Sequence, residues 1–135
     1  MSKNFLSKTY PDLGLLIIRI GLGIFMIKHG WPKIMGGISK WESLGKNMAV
    51  IGITFFPVFW GLCAALAETA GGLLMALGLF FRPAVFFILF TMFVAFMVNL
   101  KNGGSFGDWS EAAEIGVVCL GLLISGPGKY AVKPG

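Results

Sequence analysis

Four apolar runs divide the chain, over residues 13–30, 57–80, 83–100 and 111–126. Each approaches the roughly 17 to 25 residues that a helix needs to cross the hydrocarbon of a bilayer. The second and third are nearly unbroken. Arg19 interrupts the first, and the fourth is short, with Glu111 and Glu114 at its start. Pro11, Pro57, Pro83 and Pro127 fall at or just beyond the expected helix ends. Between the first two runs, Ile38, Trp41, Leu44 and Met48 recur at helical spacing. That pattern predicts a short helix lying in the interface or packed over the mouth of the bundle. Spans two and three join tightly through Arg82 and Pro83, and spans three and four through the Gly-rich "KNGGSFGDWS". Ser110 is the expected cap of the fourth helix. The pattern predicts an all-α fold: one membrane domain over residues 1–135, a bundle of four transmembrane helices with both termini on one side.

Composition agrees with a bilayer and argues against water. Hydrophobic residues make up 56%, charged residues 13%, and mean hydropathy is +0.83, whereas a soluble domain carries about a quarter charged residues. A chain of 135 residues also has too little interior to hide that much apolar surface. Lys3 and Lys8 resemble the basic start of a signal peptide, but Arg19 splits the apolar stretch and no small-x-small cleavage site follows. The first run is therefore read as a retained helix. The net charge of +5 fits juxtamembrane lysines meeting lipid phosphates, and no basic cluster with interleaved aromatics points to nucleic acid. Lys and Arg divide evenly between the two sides: Lys3, Lys8, Arg82, Lys129 and Lys133 against Lys28, Lys33, Lys40, Lys46 and Lys101. Both termini are placed in the cytoplasm. Trp31, Trp41, Trp60 and Trp109 all fall at the end carrying the first and third loops, as an interfacial belt or as the lining of a mouth.

The charged side chains inside the spans carry the functional question. Glu68 is the only fully charged group from Phe55 to Phe81. It sits within a stripe of Gly61, Ala64, Ala65, Gly71, Gly72, Met75 and Gly78, whose small residues let helices approach closely. Glu68 should therefore face the bundle interior. Similar faces run through Ala84, Ile88, Thr91, Ala95 and Asn99, through Glu114, Gly121, Ser125 and Gly128, and through Arg19, Gly23 and Gly30. A lone charge at mid-bilayer costs about 2.5 to 3.5 kcal/mol. Two remedies are open: a bidentate pair with Arg19, or protonation of Glu68. Counting along the helices separates the two Cα depths by roughly 8 Å, within reach of an extended Arg. Such a pair is either a packing device or a functional site. His29 and Lys33 lie near the Trp-side interface, where ordinary solvation competes with a role in a site.

Other chemistries find little footing. A single His and scattered acids show no metal-ligand spacing, and a haem needing two histidines is excluded within one chain. No phosphate loop, dinucleotide fingerprint or Ser/His/Asp set assembles. Cys63 and Cys119 are single and embedded in spans two and four, with no CxxC. They lie at similar depth, so either free buried thiols or a disulfide between touching helices is open.

The runs "RIGLGIFMIKHGWPKI", "AETAGGLLMALGLFFRPAV" and "GPGKYAV" together resemble the DoxX family of small four-helix membrane proteins. The matching positions are Arg19, His29, Gly30, Lys33, Glu68, Gly71, Gly72, Gly78, Arg82, Gly126, Pro127 and Gly128. The resemblance implies a multi-pass protein of the cell inner membrane, linked in several relatives to redox work. One branch resembles a subunit of thiosulfate:quinone oxidoreductase, and others are associated with membrane oxidoreductases or with resistance to oxidants and reactive quinones. Many members carry a His near the end of helix three; here Asn99 stands there, which cannot shuttle protons. The first reading is accordingly a quinone-linked redox or oxidative-stress component that works with a partner oxidoreductase. Glu68 and Arg19 would be its catalytic pair, and Arg19, His29, Lys33, Glu68, Asn99 and Glu114 would bind the quinone. The alternatives are a non-enzymatic anchor or assembly subunit, or a small transporter acting as a homo-oligomer.

Overall fold

The computed structural model describes residues 9–133 and is all-helical over them. Its elements are α1 (Pro11–Met35), α2 (Gly37–Gly45), a stretch of 3-10 helix (Lys46–Ile51), α3 (Pro57–Leu77), α4 (Phe81–Lys101) and α5 (Phe106–Ser125). Lys3 and Lys8, counted in the charge balance, lie outside the described residues.

Among the described residues, three helices are long and apolar enough to cross a membrane: α1, α3 and α4. The fourth apolar run is an α-helix of 20 residues, but Asp108, Glu111 and Glu114 all fall in its first half. Its start also differs from expectation. Ser105 precedes the first turn, and its backbone N–H donates to Asp108 Oδ2 at 2.9 Å, so Ser110 lies one turn inside the helix. A cap needs a carboxylate or hydroxyl three residues from a free N–H, and the pair Ser105–Asp108 supplies that spacing first. Other boundaries move for similar reasons. The first helix continues past residue 30 to Met35, carrying Pro32 near its end. The second stops at Leu77, because Gly78 takes φ 72° and terminates it. Arg82 and Pro83 belong to the first turn of α4 and not to a linker, a turn where the missing proline N–H costs nothing.

The helices stand in a curved row, α1 beside α3, α3 beside α4 and α4 beside α5, with α2 laid against α3. No Cα of α1 comes within 8 Å of one in α5. Close packing within the row rests on the small residues. A Cβ on Gly23 would stand 2.6 Å from the Gly72 carbonyl oxygen, and one on Gly30 would overlap Thr69. A Cβ on Gly45 would overlap the Pro57 carbonyl, and one on Gly61 that of Trp41. The predicted short helix therefore meets α3 backbone to backbone, and Trp41 Nε1 ties it to the Lys33 carbonyl of α1 at 3.1 Å.

The expected stripe on the second span is buried at Gly61, Ala65, Glu68, Gly71, Gly72 and Met75. Its neighbours Leu66, Leu73 and Leu77 are exposed and apolar. The corresponding expectation for the fourth run is overturned. Glu114, Gly121 and Ser125 face outward, and α5 buries Ala112, Cys119 and Leu122 instead. Ala112, Cys119 and Leu122 join the core formed by Val85, Ile88 and Met92, so apolar character and not small size alone marks the inner face. Cys63 is exposed, Cys119 is buried, and both are free thiols. No Cα of α3 lies within 8 Å of α5, which leaves helices two and four of the bundle too far apart for a disulfide.

Candidate functional site: an ion pair between two cavities

Among the described residues, Arg19 and Glu68 are the two buried charged residues, 1% and 3% exposed. They do not meet. Arg19 donates Nε to Met75 O at 3.3 Å, Nη1 to Pro127 O at 2.8 Å, and Nη2 to Ala76 O at 3.0 Å and Tyr130 O at 3.4 Å. Its guanidinium thus ties the last turn of α3 to the C-terminal segment. That segment also bonds through Val132 N–H to Leu77 O at 2.9 Å and Lys133 N–H to Gly78 O at 3.2 Å. The expected Arg19–Glu68 pair is replaced by a bidentate Lys33–Glu68 pair, with Nζ 2.6 Å from Oε2 and 2.9 Å from Oε1.

Helix geometry explains the exchange. Side chains lean toward the N-terminus of their own helix. Arg19 leans away from the level of Glu68, toward Met75 and Ala76. Lys33 leans back toward it, past Gly30, where a Cβ would stand 2.9 Å from the Glu68 Cβ. The register between α1 and α3, fixed by Gly23 against Gly72 and by Gly30 against Thr69, brings the Lys and not the Arg into range.

The pair lies between two cavities, and Lys33, Glu68 and Ala95 line both. One, of about 200 Å³, opens among α1, α3, α4 and α5 at the end carrying the Trp-rich loops. Its mouth holds His29, Asn99, Asp108 and Glu111, and its floor Met26, Met92 and Ile115. The second, of about 390 Å³, is a groove between α3 and α4 covered by Leu44, Asn47 and Met48. Its walls are apolar, with Phe59, Trp60, Phe87, Phe90 and Val94. Phe59, Phe87 and Cys63 are exposed along its outer rim. This volume lies within the usual range of about 300 to 1,000 Å³ for small-molecule sites.

The structure gathers some of the expected site residues and separates others. Glu68, Lys33, His29 and Asn99 share the polar cleft; Arg19 and Glu114 line neither cavity. His29 Nε2 stands 3.6 Å from Glu111 Oε1 across the mouth. Asn99 Nδ2 donates to the Asp108 backbone carbonyl at 3.0 Å, so it braces the α4–α5 turn. Sequence reasoning missed the pairing role of Lys33, and it read Glu111 only as a helix-start acid. The three- and four-residue spacing of Met26, Gly30 and Lys33 on α1 was the available signal. Among the described residues no group of three or more His, Cys, Asp or Glu stands together as a metal site. What the geometry offers is a cationic donor and a carboxylate side by side, with an apolar groove on one side and a polar cleft on the other.

The comparisons with known proteins fit this frame. The DoxX family profile matches residues 14–100, which include Arg19, Lys33 and Glu68. The chain is 30% identical over 128 residues to the inner membrane protein YqjF of Escherichia coli (strain K12), spanning 93% of each protein. It is 32% identical over 127 residues to the inner membrane protein YphA of the same strain, spanning 87% of this chain and 86% of that one. No solved structure matches the chain. With the family profile covering the buried charges and the small-residue contacts around them, the chain belongs to the DoxX family.

Proposed function

We propose that the protein binds a quinone in the groove between α3 and α4, as a redox-linked component of the inner membrane acting with a partner oxidoreductase. The observation that carries this reading is the Lys33–Glu68 pair at the inner end of an apolar groove. A Lys ammonium has three N–H donors, and two of these positions are taken by the oxygens of Glu68. The remaining one is available to a ligand carbonyl. Phe87, Phe90 and Val94 suit an apolar ring and tail, which enter from the lipid past the exposed rim. Reduction of a quinone consumes two electrons and two protons. Glu68 is the proton-exchanging group beside the carbonyl, and the electrons come from the partner oxidoreductase. Lys33 here takes the part that the sequence assigned to Arg19.

The reading includes α5 as a fourth span. It is 20 residues long and exposes Val117, Val118, Leu120 and Ile124 outward, an apolar face of the kind lipid requires. Its three acids lie in its first half, near the loop end. Both termini then reach one side of the membrane, assigned to the cytoplasm.

A second reading, an anchor or assembly subunit, draws support from Arg19, whose four bonds are architectural. Mass spectrometry of quinones that co-purify in mild detergent separates the two. Wild type and Arg19→Lys should retain a stoichiometric quinone. Folded Lys33→Met and Glu68→Gln should each lose it. Absence of quinone from wild type, or its retention in both pair variants, would sink the quinone site.

A further inference from the structure

The polar cleft is not needed to hold a ligand tail, yet it reaches the same ion pair as the groove. We propose that this cleft is an aqueous access path, bringing water and protons from the loop end of the bundle to Glu68 while the groove on the other side stays dry.

The lining changes character along its length. At the mouth His29 and Glu111 are exposed, with side chains 52% and 67% accessible, while Met26 and Met92 close the floor. A water column entering there ends at Lys33 and Glu68, the last polar groups on its walls. Those groups need it. A carboxylate offers about four acceptor positions, and Lys33 accounts for two of them. Buried polar groups left without partners are costly, and a cavity of about 200 Å³ holds several waters. Apart from the pair, the polar groups lining the groove are Asn47, Thr91 and the buried, unpartnered Trp60 Nε1, set among otherwise apolar walls.

Every helix around the cleft contributes a defined group. α1 gives His29 and Lys33, α3 gives Glu68, and α5 gives Asp108 and Glu111; α4 gives Asn99 and no titratable side chain. Asp108 is engaged by Ser105 and Asn99 by the α5 backbone. His29 and Glu111, 3.6 Å apart, are therefore the exchanging groups at the entrance. The water path rests on this geometry alone. Its use for proton delivery rests on the reading of Glu68 as the proton-exchanging group.

The test uses the full chain in lipid nanodiscs, with both faces open to reagent. Native Cys63, exposed on the groove rim, reports the dry side. Ala112→Cys and, one turn deeper, Ile115→Cys report the cleft in a Cys63→Ala background. Thiolate must be hydrated to react with a charged methanethiosulfonate. Both cleft positions should react at least about tenfold faster than Cys63 with the charged reagent. With apolar N-ethylmaleimide, Cys63 should react as readily as they do. If Ala112→Cys perturbs folding, Ile115→Cys carries the comparison. Charged-reagent rates at the cleft no higher than at Cys63 would overturn the path. For proton delivery, infrared spectra with Glu68→Gln as the subtraction identify the Glu68 band. After a step to acid pH its carboxylate band should give way to a protonated carboxyl band, a conversion that should slow once Ala112→Cys is blocked with a bulky thiol reagent; an unchanged rate would overturn that role. A wet cleft in a protein that retains no quinone would leave the path standing and remove the proposed ligand.

Discussion

Arg19 and Lys33 sit on one helix and are both cationic, yet they perform different work. Arg19 presents a planar fork that satisfies four carbonyls at the far end of the bundle, an arrangement for which a Lys is a poor substitute. Arg19→Met should cost about 3 kcal/mol or more, since each charge-assisted bond it loses is worth about 1.5 to 3 kcal/mol. Thermal unfolding in detergent measures that loss, and Arg19→Lys should fall between it and wild type. The Lys33–Glu68 pair behaves differently because each partner neutralises the other. Lys33→Met alone strands a buried carboxylate and should cost about 3 to 5 kcal/mol. Lys33→Met combined with Glu68→Met removes both charges and should recover most of that loss. A double variant no more stable than Lys33→Met would mean that the two residues are not coupled.

At the scale of elements, the controlling feature is how closely backbones approach. Gly45 and Gly61 lie where α2 crosses α3, and a Cβ at either would overlap a carbonyl of the other helix. Gly45→Ala or Gly61→Ala should therefore lift α2 away and lower stability by about 1 to 3 kcal/mol or more, as overpacking does. Gly14→Ala and Gly21→Ala serve as controls, because nothing stands within 4 Å of a Cβ there. Those two should change the melting temperature little, within about 0.5 kcal/mol. Lifting α2 also disturbs Leu44 and the following Met48, which cover the groove. The proposed quinone should be lost from Gly61→Ala before the fold is. The same element shows the reach of sequence periodicity. Met48 is buried as its spacing predicts, whereas Ile38 is 64% exposed, ahead of the contacts that Trp41 and Gly45 make with α3.

The whole molecule is a curved row of helices closed at one end and open at the other. At the closed end Arg19 and the C-terminal segment bridge α1, α3 and the end of α5; Lys129 N–H reaches Asp12 Oδ1 at 3.1 Å. At the open end α1 and α5 separate around the polar cleft, joined through His29 and Glu111. The proposed site lies where the bundle is least tightly closed, as expected for a site that must admit a ligand and water. Ala95 lines both cavities, so Ala95→Leu should narrow each. It is expected to lower quinone retention while leaving the melting temperature within a few degrees of wild type. Unchanged retention would place the ligand elsewhere.

The amino-acid sequence by itself determined the bilayer as solvent, the positions of the long helices and the inward face of α3. Those properties follow from local composition and periodicity, which every residue in a run reports together. The buried state of Glu68 was legible for the same reason, from the small residues on its own helix. Its partner was not. Whether Arg19 or Lys33 meets it depends on the register of α1 against α3 and on the lean of side chains toward each helix N-terminus. Register is a relation between two helices, set by contacts such as Gly23 with Gly72, and no single run contains it. The inner face of α5 was hidden for a related reason: Glu114, Gly121 and Ser125 face outward, and the choice of Ala112, Cys119 and Leu122 was made by the shape of the core already formed. Tertiary structure alone decided which charge meets Glu68, and so where the two cavities converge.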